Sequence, residues 1–452
     1  MKHMRWASVA LVVVVSLMLS PALAQQRTAA IKAWTIGPDN PSVTRFNNLK
    51  TAAERLNADL GRERADYRVS VDGIYDTTNW DQYLRRVLLA FQSGDAPDIV
   101  QASAALSTTW AAAGFLSPVD EFIPKYKQFG DIVPSLWTAV KYQGKTWGIP
   151  QDTEARPLYF NKVLLKKLGW TDQQIADLPK RITSGDFTWD DVMAVAKEAR
   201  QKNVIEPGKG YYHRPFNGPD FMGWYHSFGG RDYDPQTGKL VFNKPAALRY
   251  YRWLKAAVDA GILEKDRINN DWNRFHQPIT DADGKVLFWS GGTWNWAEWE
   301  KQWVAARGGE AWLFEHFGYA PHPAFVKGGK PVTLSNPQAY MVSAASKNKD
   351  VAVRLLAYTM VPDLDARHAI GSAHLPVLKS TAATMTNRFL KEVSYLLDYT
   401  TFQPPHSDLP KWQDSFFRGV SAVESGSATP EQAVEVVAGE MQRAIGNQIS
   451  IE

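Results

Sequence analysis

The chain contains no cysteine. That absence excludes a disulfide framework, a thiolate metal site and a lipid anchor carried on a cysteine. It also has no block of lysine and arginine. The formal charge is +4, and Lys2 and Arg5 supply two of those charges. So small an excess argues against nucleic acid or an acidic membrane as the main partner. The nine histidines form no HExxH or other metal-ligand spacing, and neither a Gly-rich phosphate loop nor a G-x-S-x-G elbow occurs. No metal and no cofactor is expected. There is no repeat of fixed period and no low-complexity linker, so any domains are joined by several short crossings rather than one tether.

What is present starts with "MKHMRWASVALVVVVSLMLSPALAQQ". A basic start, an apolar run from Ala7 to Leu19 and Ala22-Leu23-Ala24 read as a secretory signal peptide over residues 1–24, cut before Gln25. The run is 13 residues, short of the roughly 20 that a helix needs to cross a bilayer. The mature chain is therefore expected free in an extracytoplasmic space, most simply a bacterial periplasm. Its length suits two or three domains. "IKAWTIG" and "YRVSVDGIY" alternate as strands do, while Leu49, Ala52, Ala53, Leu56 and Leu60 recur at helical spacing. Thr188 with Asp191 three residues on marks a helix start, and Pro245 and Gly261 bracket another helix. Strand and helix alternate from the beginning, which indicates an α/β fold with a largely parallel sheet.

Tryptophan is unusually frequent, with 18 in the chain, and "FWSGGTWNWAEWEKQW" (Phe288–Trp303) holds five of them. Trp296, Trp299 and Trp303 share one helical face, which predicts packing for Trp299 and Trp303. Trp294 follows Ser-Gly-Gly directly after a buried strand. Glycines there let other groups approach the backbone, and loops at strand ends are where open α/β sheets bind ligands. Trp294 and Trp296 are the candidates for an exposed cleft wall.

Several segments in order resemble one family, the extracellular solute-binding proteins of ABC importers, in the carbohydrate branch that includes maltose-binding protein. They are "SGDAPDIV", "AAAGFLSPVDEFI", "YQGKTWGIPQDTEARPLYFNK", "FTWDDV", "SFGGRDY", "GKVLFWSGGTW", "SKNKDVAVRLLAY" and "SGSATPEQAV". The resemblance implies a type II-like periplasmic-binding-protein fold. Two discontinuous α/β lobes are joined by hinge strands and close over ligand. Crossings are expected near 151–156, 319–322 and 375–377. These divide the mature chain into 25–152 and 320–375 for the first lobe, and 153–319 and 376–452 for the second. The expected partners are a small carbohydrate and the transmembrane subunits of a permease, with the protein itself a monomer.

The same resemblance, with the chemistry of sugar binding, selects candidate residues. Flat aromatic faces pack on a pyranose, while carboxylates, amides and guanidinium groups bond its hydroxyls. Glu154 lies where maltose-binding protein carries a sugar-contacting glutamate; a hinge ion pair with Arg156 is the structural alternative. Trp294 matches a stacking Trp of the family. Asp39 and Asn40 follow the first strand, in a loop that often contacts ligand, although they suit a plain turn equally. Asn217 and Asp220 sit where relatives line the cleft, and Trp412 lies near another stacking Trp. Asn336 follows Ser335 where relatives often carry glycines. Ser103 is a hydroxyl partner after "PDIVQA". The lack of an aromatic there weakens maltose specifically, and Arg156, where maltose-binding protein is apolar, points to a different or more polar ligand.

Two rivals stay open. A secreted glycoside hydrolase would need two carboxyl groups flanking the scissile bond, for which Asp152 and Glu154 can be proposed, though in no catalytic pattern. A binder of a charged ligand could cage a quaternary ammonium with tryptophans, or hold a sugar acid or phosphate ester on Arg156.

Overall fold

The computed structural model describes residues 27–37 and 41–452. The signal peptide and the candidates Asp39 and Asn40 lie outside the described residues. No helix among those described is long and apolar enough to cross a membrane.

The first lobe is built on a sheet in the order Tyr67–Asp76, Arg27–Ile36, Ile99–Ser103, Gln338–Val342, Ile149–Asp152. The first three strands run parallel, and Gln338–Val342 enters antiparallel between Ile99–Ser103 and Ile149–Asp152. Helix Thr44–Glu63 covers one face. Its Leu49, Ala52, Ala53, Leu56 and Leu60 are all buried, as their spacing predicts. Each buried leucine of this kind contributes roughly 1.5–3 kcal/mol. They meet Val353 and Leu356 of helix Lys349–Thr359, while Tyr83, Val87 and Phe91 of helix Trp80–Ser93 fill the opposite face with Val100 and Met341.

The second lobe centres on a sheet in the order Phe317–Ala320, Leu158–Asn161, Phe288–Ser290, Tyr211–Tyr212. One face carries a core of Phe160, Trp189, Trp224, Phe242, Trp253 and Trp412. The other carries Tyr159, Trp289, Trp296, Trp299, Phe317 and Phe389. Thr188 and Asp191 form a capping box on helix Trp189–Gln201. The "DYDPQTGKLVF" hairpin forms between Tyr233–Asp234 and Lys239–Phe242, and Ile449–Ile451 then joins in parallel.

Three crossings link the lobes. The first runs through 153–157. The other two come later in the chain than expected. After Ala320 the chain stays on the second lobe, where the backbone N–H of Phe325 donates to Ser227 and that of Gly328 to Gly185. It reaches the first lobe only through 333–337. Similarly, Val377 and Leu378 still pack in the first lobe's core, and Lys379 and Ser380 bond Gly130 and Asp131. The final crossing therefore follows helix Lys379–Thr384, before Phe389 enters the second lobe's core. The first two crossings are tied where they pass each other. Thr153 and Ser335 share a hydroxyl hydrogen bond of 2.7 Å, and Thr333 Oγ1 accepts from Arg156 N and donates to Arg156 O, both at 2.9 Å.

Candidate functional site

Four of the expected residues converge where the first crossing enters the second lobe: Glu154, Arg156, Asp220 and Trp294. The Arg156 guanidinium donates to Glu154 Oε1 and, at 2.7 Å, to Asp220 Oδ2, which also accepts from Arg214. Glu154, Arg156 and Asp220 are all buried. Burial pushes the Glu154 carboxyl up to about 7 against the pull of Arg156. Asp220 also pays for burial, yet Arg156 and Arg214 together hold it well below the usual carboxylate range. Glu154 thus forms the hinge ion pair that its spacing from Arg156 allows.

Trp294 opens the short helix Trp294–Glu298 and is half-buried. Its six-membered ring lies directly on Gly292, where a Cβ would come within 1.7 Å of Cζ3. The close approach that the glycines permit is therefore made by the indole itself. The Arg156 guanidinium carbon sits 4.7 Å from the Trp294 ring centroid. The His374 ring lies nearly parallel to the indole, 17° apart with centroids at 6.1 Å.

His374 leads to a second cluster beneath the cleft. Its Nε2 accepts from Arg45 at 3.3 Å and its Nδ1 donates to Ser372 at 2.9 Å. Burial lowers its pKa to about 3, so the ring is neutral. Arg45 donates twice to Asp152 Oδ2, at 3.0 and 2.8 Å, and His368 Nε2 bonds the same oxygen at 2.8 Å. Although burial opposes its charge, Arg45 foremost keeps Asp152 far below the carboxylate range. Ligand-type atoms of Asp152, His368 and His374 lie within 4.8 Å of one another. The guanidinium of Arg45 stands among them, so the group already holds its cation.

The remaining candidates divide. Ser103 donates to Asn336 at 2.5 Å, joining the end of a first-lobe strand to the second crossing. Asn217 donates to Asp414 at 2.8 Å, and the Asp414 carboxyl feels Asp81 of the first lobe, which puts this pair at the rim between lobes. Two tryptophans do not face the cleft. Trp296 is 1% exposed and stacks on Phe389 at 4.3 Å. Helix Trp294–Glu298 turns Trp296 into the lobe's interior, away from Trp294, because residues two apart on a helix do not share a face. Trp412 is fully buried, stacked on Phe416 at 5.0 Å with its indole N–H donating to Val241 O at 2.8 Å. Its amphipathic helix Leu409–Ser425 presents this face to the core. Trp299 is buried, and Trp303 packs partly against the same core.

Asp152 and Glu154 are both buried and each is held in an ion pair with a different guanidinium group, Asp152 with Arg45 and Glu154 with Arg156. Arg45, Arg214 and His374 were missed in the sequence. His374 sits just before the motif-based crossing, which was the one available signal; the two arginines had none.

Residues 48–361 match the family described as bacterial extracellular solute-binding protein. This chain belongs to that family. Its members are binders rather than enzymes. The maltotriose-binding protein of Pyrococcus abyssi is 21% identical over 294 residues, 64% of this chain and 56% of that protein's length; the match thus spans little more than half of that relative. Among solved structures, the GacH receptor of Streptomyces glaucescens, determined unliganded and with acarbose, superposes with a TM-score of 0.72 at 19% identity, over 93% of this chain and 99% of that one. An ABC transporter solute-binding protein from Thermotoga lettingae bound with α-D-tagatose gives 0.69 at 20% identity, over 92% and 100%. The fold is the two-lobed one that the motifs imply.

Proposed function

We propose that the protein is the periplasmic binding component of an ABC importer, which captures a neutral carbohydrate between its lobes and delivers it to a membrane permease. The observation that carries this is the half-buried Trp294 indole beside a hinge floor whose charges neutralise one another. An indole face with buried hydrogen-bonding groups around it suits the apolar face and hydroxyls of a pyranose. Relatives that bind maltotriose, acarbose and tagatose support the class of cargo.

The same geometry disfavours a charged cargo. An anion on Arg156 would have to displace Glu154 or Asp220 from a buried guanidinium. A quaternary ammonium over Trp294 would meet Arg156, already 4.7 Å from the ring.

The test is the melting temperature of the mature protein against neutral mono- and oligosaccharides, polyols, sugar acids, and choline or phosphate esters. A ligand at ~100 times its Kd stabilises the folded form by roughly 2.7 kcal/mol. The expected result is a rise with a neutral saccharide that salt does not alter, and its loss in Trp294→Ala. A rise confined to charged compounds overturns the reading.

A further inference from the structure

Three carboxyls crowd the hinge, and they are not equally paired. Among the described residues, Asp152 has Arg45 and His368 on one oxygen, and Asp220 has Arg156 and Arg214. Glu154 has one ion pair, with Arg156, and shares that guanidinium with Asp220. It is the least compensated of the three.

Its place in the fold decides what moves around it. Asp152 ends a strand of the first lobe's sheet, Asp220 opens helix Asp220–Ser227 of the second lobe, and Glu154 stands on the crossing between them. The crossing itself is pinned, Thr153 to Ser335 and the Arg156 backbone to Thr333. Opening the cleft about this segment carries Asp152 and Asp220 apart and admits water to the carboxyl between them.

In this structure the lobes touch. Thr109 Oγ1 of the first lobe donates to Ser407 O of the second at 3.2 Å, and the first-lobe His374 ring lies beside the Trp294 indole. Glu154 is 3% exposed. Burial penalises its charge, Asp152 and Asp220 add repulsion from either side, and together they outweigh Arg156, which raises the carboxyl to about 7. The neighbouring imidazoles do not follow it. Burial lowers His374 and His322 to about 3, so both stay neutral where Glu154 titrates. Asp365, raised by burial to about 6, accepts from the Val377 and Leu378 backbone within the first lobe.

We infer that the hinge is a proton-operated latch: a proton on the Glu154 carboxyl favours the closed arrangement of the lobes, and its loss favours the open one. A carboxyl that is more basic when the lobes meet binds its proton more tightly in that state. Closure is therefore favoured below about pH 7 and given up as the pH rises through it. With the ordinary value of 4.5 for an opened, hydrated Glu154, the closed-to-open ratio falls up to about 70-fold from pH 5 to pH 8. Whatever the cargo, closing on it in this range takes up a proton.

The experiment needs no cargo, and the absence of cysteine makes it direct. Lys145→Cys on the first lobe and Asn447→Cys on the second, both exposed, accept a fluorescent donor and acceptor. Gln448, beside Asn447, faces Lys141 and Tyr142 across the gap between the lobes. Single-molecule energy transfer is then recorded from pH 8 to pH 5 at constant ionic strength, with and without Glu154→Gln. In the otherwise native chain the short-distance population should grow as the pH falls, most of it between pH 7 and pH 5. The glutamine variant, which carries no proton to lose, should show the acid distribution at every pH. A distribution that ignores pH in the native chain overturns the latch, whether or not the variant folds. An unchanged pH response in the variant also overturns it, and assigns the proton to another group such as Asp365. Either failure leaves the carbohydrate reading untouched.

Discussion

Replacing Glu154 with glutamine should change how stability depends on pH, and the structure sets the sign and size. The wild-type carboxyl has a folded-state pKa of about 7, above its ordinary 4.5, because burial outweighs the attraction of Arg156. A carboxyl raised on folding binds its proton more tightly in the folded state. Its contribution to stability is complete below about pH 4.5 and is lost as pH rises through 7. The loss corresponds to at most about 3 kcal/mol. Glutamine keeps an oxygen to accept from Arg156 but carries no proton to lose. Several other groups also titrate. Burial lowers His276, His322 and His374 to about 3 each and raises Asp365 to about 6. They are common to both proteins, so the difference between wild type and Glu154→Gln isolates the one carboxyl. The assay is denaturant unfolding of both from about pH 5 to about pH 8. The gap should shift toward the variant by about 2.5 kcal/mol, most of it between about pH 5 and pH 7. Parallel stability curves would refute the reasoning, and would mean that Glu154 titrates as an ordinary carboxyl.

Other substitutions separate packing from binding. Gly292→Ala places a methyl 1.7 Å from the Trp294 ring; the indole must leave its seat at a cost of roughly 1–3 kcal/mol, and calorimetry should find saccharide affinity at least tenfold weaker. Trp296→Ala removes the ring stacked on Phe389, which should cost about 3–5 kcal/mol in denaturant unfolding, while the protein that remains folded binds normally. Trp412→Ala should behave in the same way, because its ring lies in the other core of the second lobe.

Elements with strong local patterns were readable in the sequence. The apolar stripe of Thr44–Glu63 and the cap at Thr188 depend on neighbours within a few residues, and each took the shape that its pattern implies. The crossings were harder to place, since a strand such as Phe317–Ala320 looks alike whichever lobe it joins. Only the pairing of Tyr319 with Tyr159 fixes its side. The tryptophans show the same limit. Trp294 and Trp296 are two residues apart, and which of them faces the cleft depends on Phe389, contributed by chain far downstream. Arg45 and Asp152 are joined by a 2.8 Å bond across more than a hundred residues, a pairing that no local spacing announces.

The late final crossing has a consequence for how the molecule assembles. Leu409, Trp412, Phe416 and Val434 complete a core begun by Leu158, Trp189 and Trp224, and Ile449–Ile451 closes a sheet edge laid down at Lys239–Phe242. During synthesis the larger core of the second lobe therefore stays open until residues 409–451 have emerged. Contacts so distant along the chain make for slow folding and for a long-lived intermediate with apolar surface exposed. A chain cut short before Leu409 would be an aggregation hazard rather than a weakened binder. Neither lobe can be excised as a contiguous fragment, because each core draws on two stretches of chain separated by the other lobe.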